Sequence, residues 1–139
     1  MSDPKESSVT DLLFVYGTLM QRARNPFAEQ LHRQSTYLGR VWLPGRLYRV
    51  GWFPGAISDP SGTNRVWGEI CQLHHPARML AILDDYEDTA DSGSGVGLFV
   101  RRLLPLTALR RTLPCWVYLY NGPTDTLELI TTGDFNPFL

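Results

Sequence analysis

The chain reads as an α+β protein: a small mixed β-barrel with one or two helices packed against it. Outside its helix signals, most of the patterned sequence consists of short strand-like runs. Its 12 glycines and 10 prolines are spread throughout, the punctuation that short strands and tight turns need. Two segments, Pro26–Arg33 and Pro76–Glu87, carry helix signals. So many strands with so few helices bury their apolar face by curling the sheet toward a barrel and laying the helices on it.

Residues 1–10 are polar and read as a disordered lead, which leaves 11–139 as one domain, a normal size for a single core. Leu12–Tyr16 is a short buried strand stopped by Gly17. Pro26–Arg33 is a short helix with Asn25 as N-cap and Pro26 at its first position. Ser35–Arg40 and Val41–Arg49 are strand-like, the latter broken at Pro44-Gly45, and Gly51–Asp59 is rich in turn residues. Asn64–Leu73 is a strand in which Val66, Gly68 and Ile70 alternate with Trp67, Glu69 and Cys71. Pro76–Glu87 is the longest helix, with MLAIL supplying its apolar stripe. The Ser-Gly run Asp91–Gly97 is a loop, followed by strands at Gly97–Leu106 and Thr112–Tyr120.

Composition excludes several roles. A formal charge of −1 does not suit a protein that must displace counterions from nucleic acid. No apolar run approaches the ~20 residues that span a bilayer. The polar N-terminus shows no apolar signal-peptide core, so a cytoplasmic location is expected. Cys71 and Cys115 lie in strand-like runs and read as small buried thiols. His74 and His75 are adjacent and would point to opposite faces of a strand; with His32 the only other histidine, no metal site is expected.

Three features carry candidate chemistry. On the Pro76–Glu87 helix, Met79, Leu80, Leu83 and Tyr86 define the apolar face. Glu87, seven residues after Leu80 and four after Leu83, falls within it, while Asp85 is opposite and Asp84 lies at the margin. A carboxylate aimed at a core has its pKa raised toward working pH and is a candidate proton carrier, unless the helix ends first and the side chain turns to water. The second feature is the strand running through Tyr16 into Gly17-Thr18-Leu19: glycine permits positive φ, so successive N–H groups can form an anion-binding concavity, or simply a turn. The third is the glycine- and aromatic-rich stretch Gly39–Gly55, which fits either a pocket wall or a curled hairpin whose rings fill the core.

Together these segments resemble the γ-glutamylcyclotransferase-like family, which includes the γ-glutamylamine cyclotransferases and the AIG2-like proteins. Val15-Tyr16-Gly17-Thr18-Leu19 is similar to its YGTL motif, Gly45-Arg46-Leu47-Tyr48 with Gly51-Trp52-Phe53-Pro54 to its G-x-L-Y…G-x-[YF]-P segment, and Val66–Ile70 to V-x-G-E-[VLI]. Leu83-Asp84-Asp85-Tyr86-Glu87 resembles L-D-x-[YFL]-E, which ends in the family's catalytic glutamate. Cys115–Tyr118 sits where a late strand carries a tyrosine, and Ile130–Phe135 resembles the closing I-x-S-G-D-[WF]. The likeness covers about residues 12–135. Two positions depart from the pattern: Asp88 stands where glycine is usual, and Phe99 where a tyrosine usually precedes Arg101 by two residues.

The resemblance implies a small mixed barrel and a cofactor- and metal-free cyclisation. In that reaction the α-amine of an L-γ-glutamyl group attacks its own γ-carbonyl, releasing 5-oxoproline and an amine or amino acid. It implies Glu87 as the catalytic acid–base, the N–H groups around Gly17, Thr18 and Leu19 as holders of the glutamyl carboxylate or carbonyl oxygen, and Tyr16 and Tyr118 as pocket lining able to donate hydrogen bonds. Partners would be small γ-glutamyl molecules, not nucleic acid or membrane; oligomeric state is open. A non-catalytic binding module on the same fold and a γ-glutamyl-deprotecting acyltransferase stay open beside it. The acidic stretch Asp88–Asp91 disfavours an anionic substrate tail.

Overall fold

The computed structural model describes residues 9–87 and 97–139. Six strands lie in the spatial order β3–β2–β4–β1–β6–β5: β1 Leu12–Val15, β2 Ser35–Val50, β3 Phe53–Ser58, β4 Arg65–Leu73, β5 Phe99–Ala108 and β6 Arg111–Tyr120. A two-residue strand, β7 (Glu128–Leu129), pairs with β2. β1 runs parallel to β6 and antiparallel to β4, so the sheet is mixed. Its far ends curl together: the Phe53 and Phe99 rings lie 6.0 Å apart, and a Cβ added to Gly55 would come 2.9 Å from the Tyr120 Cβ. The result is a nearly closed barrel flanked by helices α1 (Pro26–Arg33) and α2 (Pro76–Tyr86).

Both helices start as their sequences dictate. The Asn25 side chain accepts from the Ala28 N–H at 2.9 Å, and a proline opens each helix where its missing N–H costs nothing. Inside the barrel, Leu13, Phe14, Leu47, Ile70, Leu106 and Val117 are fully buried, and Leu80 and Leu83 of α2 join them. Each contributes about 1.5–3 kcal/mol of transfer free energy.

Two expectations need correction. Pro44-Gly45 does not break β2, which is continuous over 16 residues. The dipeptide marks where the strand changes partner: residues through Pro44 pair with β4, and residues from Gly45 onward pair with β3. A Cβ at Gly45 would come 2.2 Å from the Ile57 carbonyl oxygen, so only glycine fits that crossing. The turn expected over Gly51–Asp59 shrinks to Gly51-Trp52, with Gly51 at φ +71°, and Phe53–Ser58 forms β3. The hairpin places aromatic residues both in the core and at a pocket rim.

Cys71 and Cys115 are buried and unpaired, and burial pushes their thiols up to about 12 and about 11. Residues 1–8 of the polar lead and 88–96 of the acidic and Ser-Gly segment lie outside the described residues; Thr10 is buried, its carbonyl accepting from Trp116 Nε1 at 3.2 Å. Phe135 packs into the chain's own core, while Phe138 lies beneath the Arg49 guanidinium at 4.6 Å. Among the described residues no helix is long and apolar enough to cross a membrane, and no cluster of metal-ligating side chains occurs.

The closing segment is pinned at Gly133, whose φ is +68° and whose carbonyl accepts from the Trp67 N–H at 2.8 Å. A Cβ there would come 1.7 Å from the Arg65 carbonyl oxygen. Gly133→Ala should therefore cost more than about 2 kcal/mol in urea unfolding; an unchanged midpoint would show that the segment is not held as described.

Candidate active site

One cavity of about 160 Å³ opens on the barrel, bounded by the end of β1, the β2–β3 hairpin, the end of α2 and the start of β5. That volume suits a group somewhat larger than benzene, whose fit to a cavity of about 150 Å³ is known. Every site residue named from the sequence lines it: Tyr16, Gly17, Thr18, Leu19, Glu87 and Tyr118.

Glu87 is the C-cap of α2, and its N–H still donates to the Leu83 carbonyl at 2.8 Å. The helix thus carries it to the cavity instead of releasing it to solvent. No side chain among the described residues hydrogen-bonds its carboxyl group. Burial alone pushes that group up to about 8, so near neutral pH it is mostly a carboxylic acid. Burial chiefly raises the phenols of Tyr16, Tyr86 and Tyr118, which line the same cavity, and a Glu87 carboxylate would add to each shift.

The Gly17–Leu19 turn is held from outside by contacts to its carbonyls and its hydroxyl. Asn25 Nδ2 donates to the Thr18 carbonyl at 2.8 Å, and His32 Nε2 donates to the Leu19 carbonyl at 3.0 Å. Thr18 Oγ1 and the Tyr86 hydroxyl share a hydrogen bond of 2.8 Å, tying the turn to the last residue of α2. Among the described residues, the N–H groups of Gly17, Thr18 and Leu19 donate to no protein acceptor, the pattern of an anion- or carbonyl-binding nest. The reason for Gly17 differs from the one expected. Its φ is not positive; instead, a Cβ would come 2.6 Å from Pro54 Cγ on β3. Glycine is needed there for close approach, not for a left-handed turn.

Both tyrosine hydroxyls are committed to protein atoms. Tyr16 donates to the Tyr118 carbonyl at 2.6 Å and accepts from the Ala56 N–H at 3.2 Å, which clamps β1, β3 and β6 together. The Tyr118 hydroxyl donates to Asp84 Oδ1 at 2.7 Å. The two rings line the cavity while their hydroxyl protons point elsewhere. Phe99 lines it as well, bringing a ring and no hydroxyl.

Asp84 was placed at the helix margin by spacing, yet it is buried. Arg101 of β5 grips it through Nε at 2.8 Å and Nη2 at 3.1 Å, and the guanidinium also stacks 4.5 Å from the Trp116 ring. The signal was present: Leu80, Asp84 and Glu87 form an i, i+4, i+7 stripe, and Arg101 shares the inward phase of Phe99. Glu69 was also missed as a support; its Oε1 accepts from the Gln21 N–H at 2.7 Å just beyond the turn.

A family model described as "Gamma-glutamyl cyclotransferase, AIG2-like" matches residues 13–137. The Gamma-glutamylcyclotransferase family protein YtfP of Escherichia coli (strain K12) is 28% identical over 124 residues, 88% of this chain and 94% of that protein. The solution structure of ytfP from Escherichia coli superposes with a TM-score of 0.63 at 30% identity, again covering 88% and 94%. The crystal structure of an AIG2-like protein from Mus musculus gives a TM-score of 0.63 at 25% identity, covering 82% of this chain and 80% of the other.

Two outcomes follow from the buried charges. Arg101→Met leaves the Asp84 carboxylate buried without its partner and should cost about 3–5 kcal/mol in urea unfolding, with much of the loss recovered by adding Asp84→Leu; equal stability of wild type and the single variant would contradict the pairing. Glu87 binds a proton in the folded state up to about pH 8, whereas the unfolded chain releases it near 4.5. Between those values the folded state holds more protons, so wild-type stability falls as pH rises and levels off above 8. Glu87→Gln should match wild type near pH 4 and exceed it by several kcal/mol, at most about 5, at pH 9; parallel stability curves would contradict the burial.

Proposed function

The chain belongs to the gamma-glutamyl cyclotransferase, AIG2-like family, and from that premise we propose that it cyclises the L-γ-glutamyl group of a γ-glutamyl amine or amino acid to 5-oxoproline. One observation carries the reading: the Glu87 carboxyl group, raised by burial to about 8, shares a small cavity with three backbone donors that bond no acceptor among the described residues.

In this reading the N–H groups of Gly17, Thr18 and Leu19 hold the α-carboxylate or the γ-carbonyl oxygen of the glutamyl head. Glu87, as carboxylate, takes a proton from the α-ammonium. The freed amine attacks the γ-carbonyl carbon and forms the lactam C–N bond. Glu87, now the acid, protonates the departing nitrogen as the original amide C–N bond breaks. Two protons leave the attacking nitrogen overall, and both end on the amine, which departs as an ammonium ion. Tyr16 and Tyr118 shape the cavity with their rings. The chief contribution is to fold one molecule into attack geometry, so the chemistry calls on no cofactor.

Mass-spectrometric detection of 5-oxoproline from a panel of γ-glutamyl amides is the test. Glu87→Gln should fold and lose at least about 100-fold in turnover. Wild-type kcat/KM should rise through about pH 8 as the free enzyme's carboxylate forms. Full activity in the variant, or a profile flat across pH 6–9, would remove Glu87 from the role.

A further inference from the structure

The glutamyl head accounts for one end of the cavity and leaves the departing amine unassigned. Resting on the cyclotransferase reading, we propose that the amine half of the substrate is an uncharged apolar or aromatic amine rather than an amino acid carrying its own carboxylate.

The cavity mouth is the first support. Trp52 and Leu98 line it and are 75% and 43% exposed. Gly51, at φ +71°, turns the β2–β3 hairpin so that Trp52 stands at its tip. The Trp52 ring meets Phe53 edge-on at 5.3 Å, and Phe53 lies 6.0 Å from Phe99. An aromatic wall therefore runs from the rim inward. Large apolar side chains left open at the mouth of a pocket are surface that a ligand of matching character covers.

Charge is the second. Among the described residues lining the cavity, Glu87 is the one ionisable acid, and no Arg, Lys or His is present. Arg101, two residues beyond Phe99, is consumed by Asp84. A second carboxylate on the substrate would lose water without gaining a cation and would face Glu87. The unpaired donors at Gly17–Leu19 are already taken by the glutamyl head.

A matched pair isolates the point: γ-L-glutamyl-phenethylamide and γ-L-glutamyl-L-phenylalanine differ only by the tail carboxylate, and γ-L-glutamyl-methylamide serves as the tail-free reference. With the full chain, kcat/KM for 5-oxoproline release should be at least about 10-fold higher for the phenethylamide than for the phenylalanine compound. Trp52→Ala should cut the phenethylamide-to-methylamide ratio about fivefold, chiefly through KM. Equal rates, or preference for the phenylalanine compound, would overturn the tail assignment and leave the cyclotransferase reading standing. If none of the three yields 5-oxoproline, that reading fails instead, and calorimetric Kd values for the same pair on Glu87→Gln decide the tail. Tighter binding of the phenethylamide supports it; equal, reversed or undetectable binding of both overturns it.

Discussion

The Asp84–Arg101 ion pair is the constraint on which the site depends. It joins helix α2 to strand β5 in a place with almost no water, and the Tyr118 hydroxyl adds a donor from β6. A buried pair repays its desolvation only when geometry is good and the remaining lone pairs are used, and both conditions are met here. Three residues after Asp84 the helix ends, and Glu87 enters the cavity. The pair fixes that last turn in position and direction. Because its two charges cancel, it adds little net field at Glu87, so burial alone sets that carboxyl group high.

A second support holds the opposite wall. The Gly17–Leu19 turn has its outward-facing polar groups tied to Asn25, His32 and Tyr86, which leaves its N–H groups spare. Asn25 does two jobs, capping α1 and holding the Thr18 carbonyl. The link between Thr18 and Tyr86 sets the spacing between the turn and the end of α2. Among the described residues these N–H groups and the Glu87 carboxyl group have no hydrogen-bond partner, an arrangement that costs stability where water is excluded.

Much of this was legible in the sequence. Helix starts were written by Asn25-Pro26 and Pro76, and Glu87 was placed on the buried face by its distance from Leu80 and Leu83. What sequence pattern could not show was long-range pairing. Asp84 and Arg101 lie 17 residues apart, and each alone resembles a surface charge. Pro44-Gly45 read as a break because the local signal of a turn and that of a strand changing partners are the same dipeptide. Gly17 was read as a conformational glycine because nothing local announces that Pro54, from another strand, packs against it.

The chemistry of the cavity depends on Glu87 being a neutral acid in the free protein at ordinary pH. A carbon-13 NMR titration of its side-chain carboxyl, assigned by the resonance lost in Glu87→Gln, measures that directly. The structure predicts a midpoint near 8. A midpoint near the ordinary glutamate value of about 4.3 would mean a solvated carboxylate and would contradict the placement of Glu87 as the proton carrier.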